Sequence, residues 1–151
     1  MEDKDCIFCK IAKGEIPAMK FWEDKNFIAI LDIAPNSEGQ ALVISKDHYP
    51  SNIVDESEEL FISHFIAARK VAKLMDRNLK VKRTAIVLEG MGVNHAHIKL
   101  YPLHGLSDDW MAVEADERVF FEKYEGYVTT KMGPVKSPDE LRIIKERLEK
   151  L

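Results

Sequence analysis

The sequence predicts an α+β fold: an antiparallel sheet of about five strands with one long helix packed on it, then a C-terminal extension ending in a helix. Three observations point there. Short apolar runs broken by turn residues recur from Lys20 to Ser45 and from Thr84 to Leu100. Between them, Leu60, Phe61, Phe65, Ala68, Val71, Ala72 and Met75 recur at spacings of three and four, the period of an amphipathic helix. Beyond Pro102 the composition shifts to scattered aromatic residues and a charged terminal stretch. Residues 1–105 read as one domain, with 106–151 as an extension packed on it.

In chain order, Cys9 to Lys13 forms a short helical segment stopped by Gly14, and Ile16-Pro17 leads out of it. Lys20 to Trp22, Phe27 to Leu31 and Gln40 to Ser45 are three successive strands, separated by Glu23-Asp24-Lys25-Asn26 and Pro35-Asn36-Ser37-Glu38-Gly39. The first connection is too short for a crossover helix, so the pairing is antiparallel. Asn52 to Asp55 offers capping residues ahead of the long helix, which ends near Leu79. Thr84 to Leu88 and His95 to Leu100 are two more strands, joined by a loop carrying Gly90 and Gly92. Ser137-Pro138-Asp139-Glu140 places an N-cap and a first-turn proline before a helix to Leu151. Trp110 and the aromatic group from Phe120 to Tyr127 are expected to form core beneath that helix.

The 151 residues, 46% hydrophobic, suffice for one real core. Twenty-two basic against 26 acidic residues give a net charge of -4, which argues against stable duplex nucleic-acid binding. No apolar run approaches the roughly 20 residues of a membrane span. The opening Met1-Glu2-Asp3-Lys4-Asp5 lacks the order of a secretory signal. The expectation is a cytoplasmic protein that does not engage membranes.

The chemistry gathers at two places. His95, His97 and Lys99 alternate along one strand, so all three face one side, while Ala96, Ile98 and Leu100 face the core. Two imidazoles and an amine on one face can move protons and bind phosphate. The only two cysteines, Cys6 and Cys9, form a C-x-x-C pair ahead of any strand, a position that suits metal better than thioredoxin-like redox chemistry. With His48 and one of the two strand histidines they would complete a Cys2His2 site. Taken alone, His48 reads as a loop histidine. What favours the metal is that one cation answers for three otherwise unexplained features and ties the N-terminus to the sheet.

Cys6-Ile7-Phe8-Cys9, Gly14-Glu15-Ile16-Pro17, Leu31 to Pro35, Gly39 to Ile44, His48 and His95 to Pro102 together resemble, in order, the histidine-triad (HIT) superfamily, in its branch with an N-terminal C-x-x-C. The resemblance implies the HIT-like fold over residues 1–105 and a homodimer. It implies a hydrolase or nucleotidyl transferase acting on nucleoside phosphates, of dinucleoside polyphosphate or phosphoramidate type, through a covalent nucleotidyl-histidine. His97 stands at the nucleophile's position and Lys99 where the third histidine usually is. The family's zinc ligands fall on Cys6, Cys9, His48 and His95. Asp32 matches the acid that holds the ribose hydroxyls, and Ile7, Phe8, Ile11 and Ile30 match the apolar slot around a purine base. Backbone N–H groups at Gly90 and Gly92 are candidates for phosphate oxygens. Leu88, Met91 and Gly92 depart from the family's polar loop, and with Lys99 they motivate the alternative of a nucleotide-binding or regulatory protein with weak or no catalysis. Glu89 brings a negative charge near an anionic substrate, unfavourable unless Lys99 pairs with it.

Overall fold

Strands β1 (Lys20–Glu23), β2 (Phe27–Leu31), β3 (Ala41–Ser45), β4 (Thr84–Val87) and β5 (His97–Pro102) form one sheet in the order β1-β2-β3-β5-β4. Every pairing is antiparallel, including β1 with β2, where the short first connection implied it. This is a computed structural model, and it describes residues 5–148. The register sets the site: Ile44 lies opposite His97, Leu42 opposite Lys99, and Val87 opposite Lys99 on the other flank.

The central strands are buried on both faces, so β2 and β3 read as continuous apolar runs instead of alternating ones. One face, carrying Phe27, Ala29, Ala41, Val43, Ile98 and Leu100, packs on helix α2 (Glu58–Leu79). The helix offers Ala67, Ala68 and Val71 there, small side chains that bring its backbone close to the sheet. The opposite face carries Ile28, Ile30, Leu42 and Ile44 and is covered by Cys6, Phe8 and Cys9 around helix α1 (Ile7–Ala12).

Several boundaries differ from the sequence reading by one to three residues, and two of the differences have a visible cause. The cap of α2 is Ser57, whose hydroxyl accepts from the Leu60 N–H at 3.3 Å, while Ile53–Asp55 makes a separate 3-10 turn. Strand β5 begins at His97 and not at His95, because the Ala96 N–H donates to the Tyr49 carbonyl (2.8 Å), outside the ladder. His95 is thereby freed from strand pairing.

The chain divides into two compact units, Met1–Asp109 and Trp110–Leu151. In the second, helix α3 (Pro138–Leu148) opens with a reciprocal cap: Glu140 Oε2 accepts from the Ser137 N–H (2.8 Å), and Ser137 Oγ accepts from the Glu140 N–H (3.3 Å). The last residues of the expected helix, 149–151, lie outside the described ones. The expected aromatic core is not formed. Trp110 is 75% exposed, and Phe120, Tyr124 and Tyr127 are likewise exposed, as are Leu141, Ile143 and Ile144 of α3. The reason is architectural: α3 is the unit's one regular element among the described residues, and a helix without an opposing layer cannot bury an apolar face.

His64 is the one ionisable side chain of α2 that lies fully inside the helix-sheet interface, at 0% exposure. Its Nε2–H donates to the Val43 carbonyl (3.0 Å), its ring lies 4.7 Å from that of Phe27, and its Nδ1 has no hydrogen-bond partner among the described residues. Burial pushes its pKa from 6.5 down to about 4. Between those values the unfolded chain binds the proton and the folded one does not. Stability is therefore fully present above about pH 6.5 and falls toward pH 4, by up to about 3 kcal/mol from this group. In urea titrations from pH 7 to 4.5, His64→Leu should flatten this slope; equal slopes in the two proteins would refute the assignment.

Candidate functional site

A helical turn places the two cysteines. Cys6 is the N-cap of α1 and Cys9 lies one turn on, so both thiols point to the face of the sheet that carries His97. His48 follows β3, and His95 precedes β5. Cys6 Sγ lies 3.3 Å from His95 Nδ1, Cys9 Sγ 3.5 Å from the same nitrogen, and Cys9 Sγ 3.4 Å from His48 Nδ1. The four donor atoms all lie within 4.8 Å of one another. A tetrahedral zinc with Zn–S of about 2.3 Å and Zn–N of about 2.0–2.1 Å requires S···N edges of about 3.5 Å, which is what these groups show. Two thiolates and two imidazoles also match zinc in softness and leave no open position. The four residues named from the sequence thus come together, with His95 as the strand histidine.

His95 is held by the side away from the metal position. Its Nε2–H donates to the Ser45 carbonyl (2.8 Å), with the Ser45 hydroxyl at 3.1 Å. That fixes the tautomer and leaves the Nδ1 lone pair for a cation. Burial lowers its pKa from 6.5 to about 4, so the ring is neutral as a ligand must be.

His97, two residues on, is 3% exposed. Its Nδ1–H donates to the His95 carbonyl at 2.7 Å. A carbonyl only accepts, so Nε2 carries the lone pair. Phe8 packs edge-on to both rings, at 5.8 Å from His95 and 5.5 Å from His97. Burial pushes the His97 pKa below its ordinary value; the bond to the His95 carbonyl and the charge of Glu89 oppose this, and Lys99 reinforces it. The result is a neutral, oriented imidazole suited to nucleophilic attack.

Lys99 shares that face, and its Nζ forms an ion pair with Glu89 Oε2. Leu88 packs on the α2 side of the sheet. Tyr101 continues the row; burial raises its phenol pKa, with Lys99, Glu89 and Asp32 all acting on it. Asp32 follows β2, where Oδ1 accepts from the Ala34 N–H (2.9 Å) and Oδ2 from the Gln40 amide (2.8 Å). Of the residues matched to a base slot, Phe8 and Ile30 are in the apolar cluster, Ile11 packs against it, and Ile7 is half-exposed at the outer side of α1. Gly90 and Gly92 lie in the loop after Glu89, both with positive φ. Sequence reasoning missed Ser45, Gln40 and Tyr101. Ser45 and Gln40 act on another side chain across the sheet, which no local pattern encodes. The two-residue spacing of His97, Lys99 and Tyr101 was the available signal for the last.

The HIT domain family matches residues 13–106. The chain belongs to that family. It is 38% identical over 124 residues to an adenosine 5'-monophosphoramidase of Saccharomyces cerevisiae, covering 76% of this chain and 75% of that protein. It is 33% identical over 146 residues to an uncharacterised HIT-like protein of Methanocaldococcus jannaschii, covering 93% of this chain and 97% of the relative. The crystal structure of SMU.412c from Streptococcus mutans UA159 superposes with a TM-score of 0.70 at 27% identity, covering 99% of this chain and 86% of that one. The expected HIT fold and family membership are borne out. Among the described residues, no helix is long and apolar enough to cross a membrane.

In this HIT domain the loop between β4 and β5 is fixed at Gly90. With φ +70°, a Cβ added there would lie 2.8 Å from the Ser51 carbonyl oxygen, whereas at Gly92 (φ +91°) nothing lies within 4 Å. Gly92→Ala should cost about 1 kcal/mol, for the left-handed backbone alone. Gly90→Ala should cost about 2–3 kcal/mol, strain and clash together. Urea denaturation measures both; equal costs would contradict the close approach to Ser51.

Proposed function

We propose that the protein is a nucleotide hydrolase or nucleotidyl transferase acting on purine nucleoside phosphates through a covalent intermediate on His97. The observation that carries this reading is the 2.7 Å bond from His97 Nδ1 to the His95 carbonyl, which aims a neutral Nε2 out of the sheet. Nε2 attacks phosphorus in line, the P–N or P–O bond to the leaving group breaks, and the leaving group takes a proton from solvent. Water then attacks phosphorus and gives a proton back to solvent, the P–N bond to His97 breaks, and the nucleoside monophosphate leaves with the imidazole restored. Asp32, held by Gln40, accepts from the ribose hydroxyls. Phe8, Ile11, Ile30 and the exposed Ile7 border the base. Lys99 and the N–H groups of Gly90 and Gly92 contact phosphate oxygens. The yeast relative's activity makes adenosine 5'-phosphoramidate the first substrate to try.

The test is turnover and trapping. The protein should release AMP from adenosine 5'-phosphoramidate or from a dinucleoside polyphosphate, with an adduct that His97→Asn abolishes along with at least about 10³-fold of the rate. Asp32→Ala should raise KM more than it lowers kcat. AMP binding without any turnover would replace this reading by that of a nucleotide-binding regulator, and absence of both would overturn the two together.

We further propose that Cys6, Cys9, His48 and His95 hold one structural zinc and that the chain forms a homodimer. When bound, the zinc supplies a crosslink between α1 and the starts of the flanking segments. Elemental analysis should give about one zinc per chain. Cys9→Ser should lose the metal and lower Tm by about 5 °C or more; metal-free protein of unchanged Tm would overturn this part.

A further inference from the structure

The loop that follows β4 sends two neighbouring side chains to opposite faces. Leu88 enters the apolar layer beneath the sheet, and Glu89 emerges on the face that carries His97, Lys99 and Tyr101. The Glu89 side chain is only 7% exposed and that of Lys99 only 22%. A carboxylate so little exposed, beside a site for an anion, repels that anion and is costly to desolvate unless a cation answers it. Lys99 is that cation. Its four-carbon stem has no preferred aim of its own, and the ion pair fixes one. An ammonium has three N–H groups. One engages Glu89, leaving others for a phosphate oxygen.

We propose that Glu89 is a positioning residue: it holds the Lys99 ammonium against the phosphate of the bound nucleotide, so that the two act as one unit in presenting phosphorus to His97. This rests on the nucleotide reading above. His97 and Lys99 are two residues apart on β5 and share one face, which puts the ion pair beside His97. The departure from histidine at position 99 then has a structural partner, since a lysine there needs a carboxylate to aim it.

The experiment is a double-mutant cycle of Glu89→Gln and Lys99→Met, with Glu89→Asp as the conservative variant. Three readouts are taken: Kd for AMP by calorimetry, kcat and KM for adenosine 5'-phosphoramidate, and Tm. Each single substitution should weaken AMP binding by about tenfold. The double variant should be no weaker than Lys99→Met alone, and Glu89→Asp should regain part of the loss. A purely structural Glu89 would lower Tm and give effects that multiply, which overturns the proposal. Tighter AMP binding in Glu89→Gln would mean that the carboxylate only repels phosphate, and overturns it too. If Glu89→Gln does not fold, Glu89→Asp with Lys99→Met closes the same cycle. Coupling in AMP affinity without turnover in the parent protein would sink the hydrolase reading and leave the positioning role standing; a parent protein that binds no AMP would sink the positioning role.

Discussion

The hydrogen bond from His97 Nδ1–H to the carbonyl of His95 (2.7 Å) joins the two halves of the site. On one side of it, His95 belongs to the Cys2His2 group, with Nε2 anchored on Ser45 and Nδ1 turned to the cysteines. On the other, the imidazole of His97 has its tautomer decided by the same peptide. The geometry of the Cys2His2 group and the orientation of the His97 ring therefore depend on one backbone segment. That segment is placed by β3 from below, through Ser45, and by Tyr49, whose carbonyl takes the Ala96 N–H. Were His95 an ordinary strand residue, its carbonyl would be committed to the ladder and not to His97.

The sheet makes this arrangement possible because its two faces do different work. Phe27, Ala29, Val43, Ile98 and Leu100 close on α2, and burial of that much apolar surface is the main term in folding. The other face is covered at one end by α1 and the cysteines and left for Lys99, Tyr101 and Asp32 at the other. A strand's period of two delivers alternate residues of β5 to a rigid core and to the site. The precision of His97 is inherited from the packing of Ile98.

Much of this was legible in the sequence, for identifiable reasons. The period of α2 is long and strong, the two-residue spacing of His97 and Lys99 fixes a common face, and the C-x-x-C pair is the only thiol pair in the chain. The pairing of Glu89 with Lys99 was readable as a charge problem in want of a partner. Other features were not readable. The buried runs of β2 and β3 carry no alternation, so their registers come only from their neighbours. Ser45 and Gln40 look like ordinary polar ends of an apolar strand until tertiary structure sets them beside His95 and Asp32. The aromatic tail misled for a definite reason: Trp110, Phe120 and Tyr127 have core composition, but among the described residues their unit has no second layer to close against, and composition alone does not supply one.

A lysine at position 99 also bears on why His97 is kept neutral. An isolated ammonium beside an imidazole would depress its basicity, and an isolated carboxylate would raise it. Here the two charges oppose one another at His97, and the leading influence that remains is burial, which favours the uncharged ring. The ion pair can thus offer N–H donors to an anion without dictating the protonation of the imidazole beside it. A third histidine would add a group whose own charge varies near neutral pH, whereas a lysine brings an ammonium with three N–H donors. A lysine at this position changes which donors face an anion while leaving the condition of His97 Nε2 to the sheet and to the carbonyl of His95.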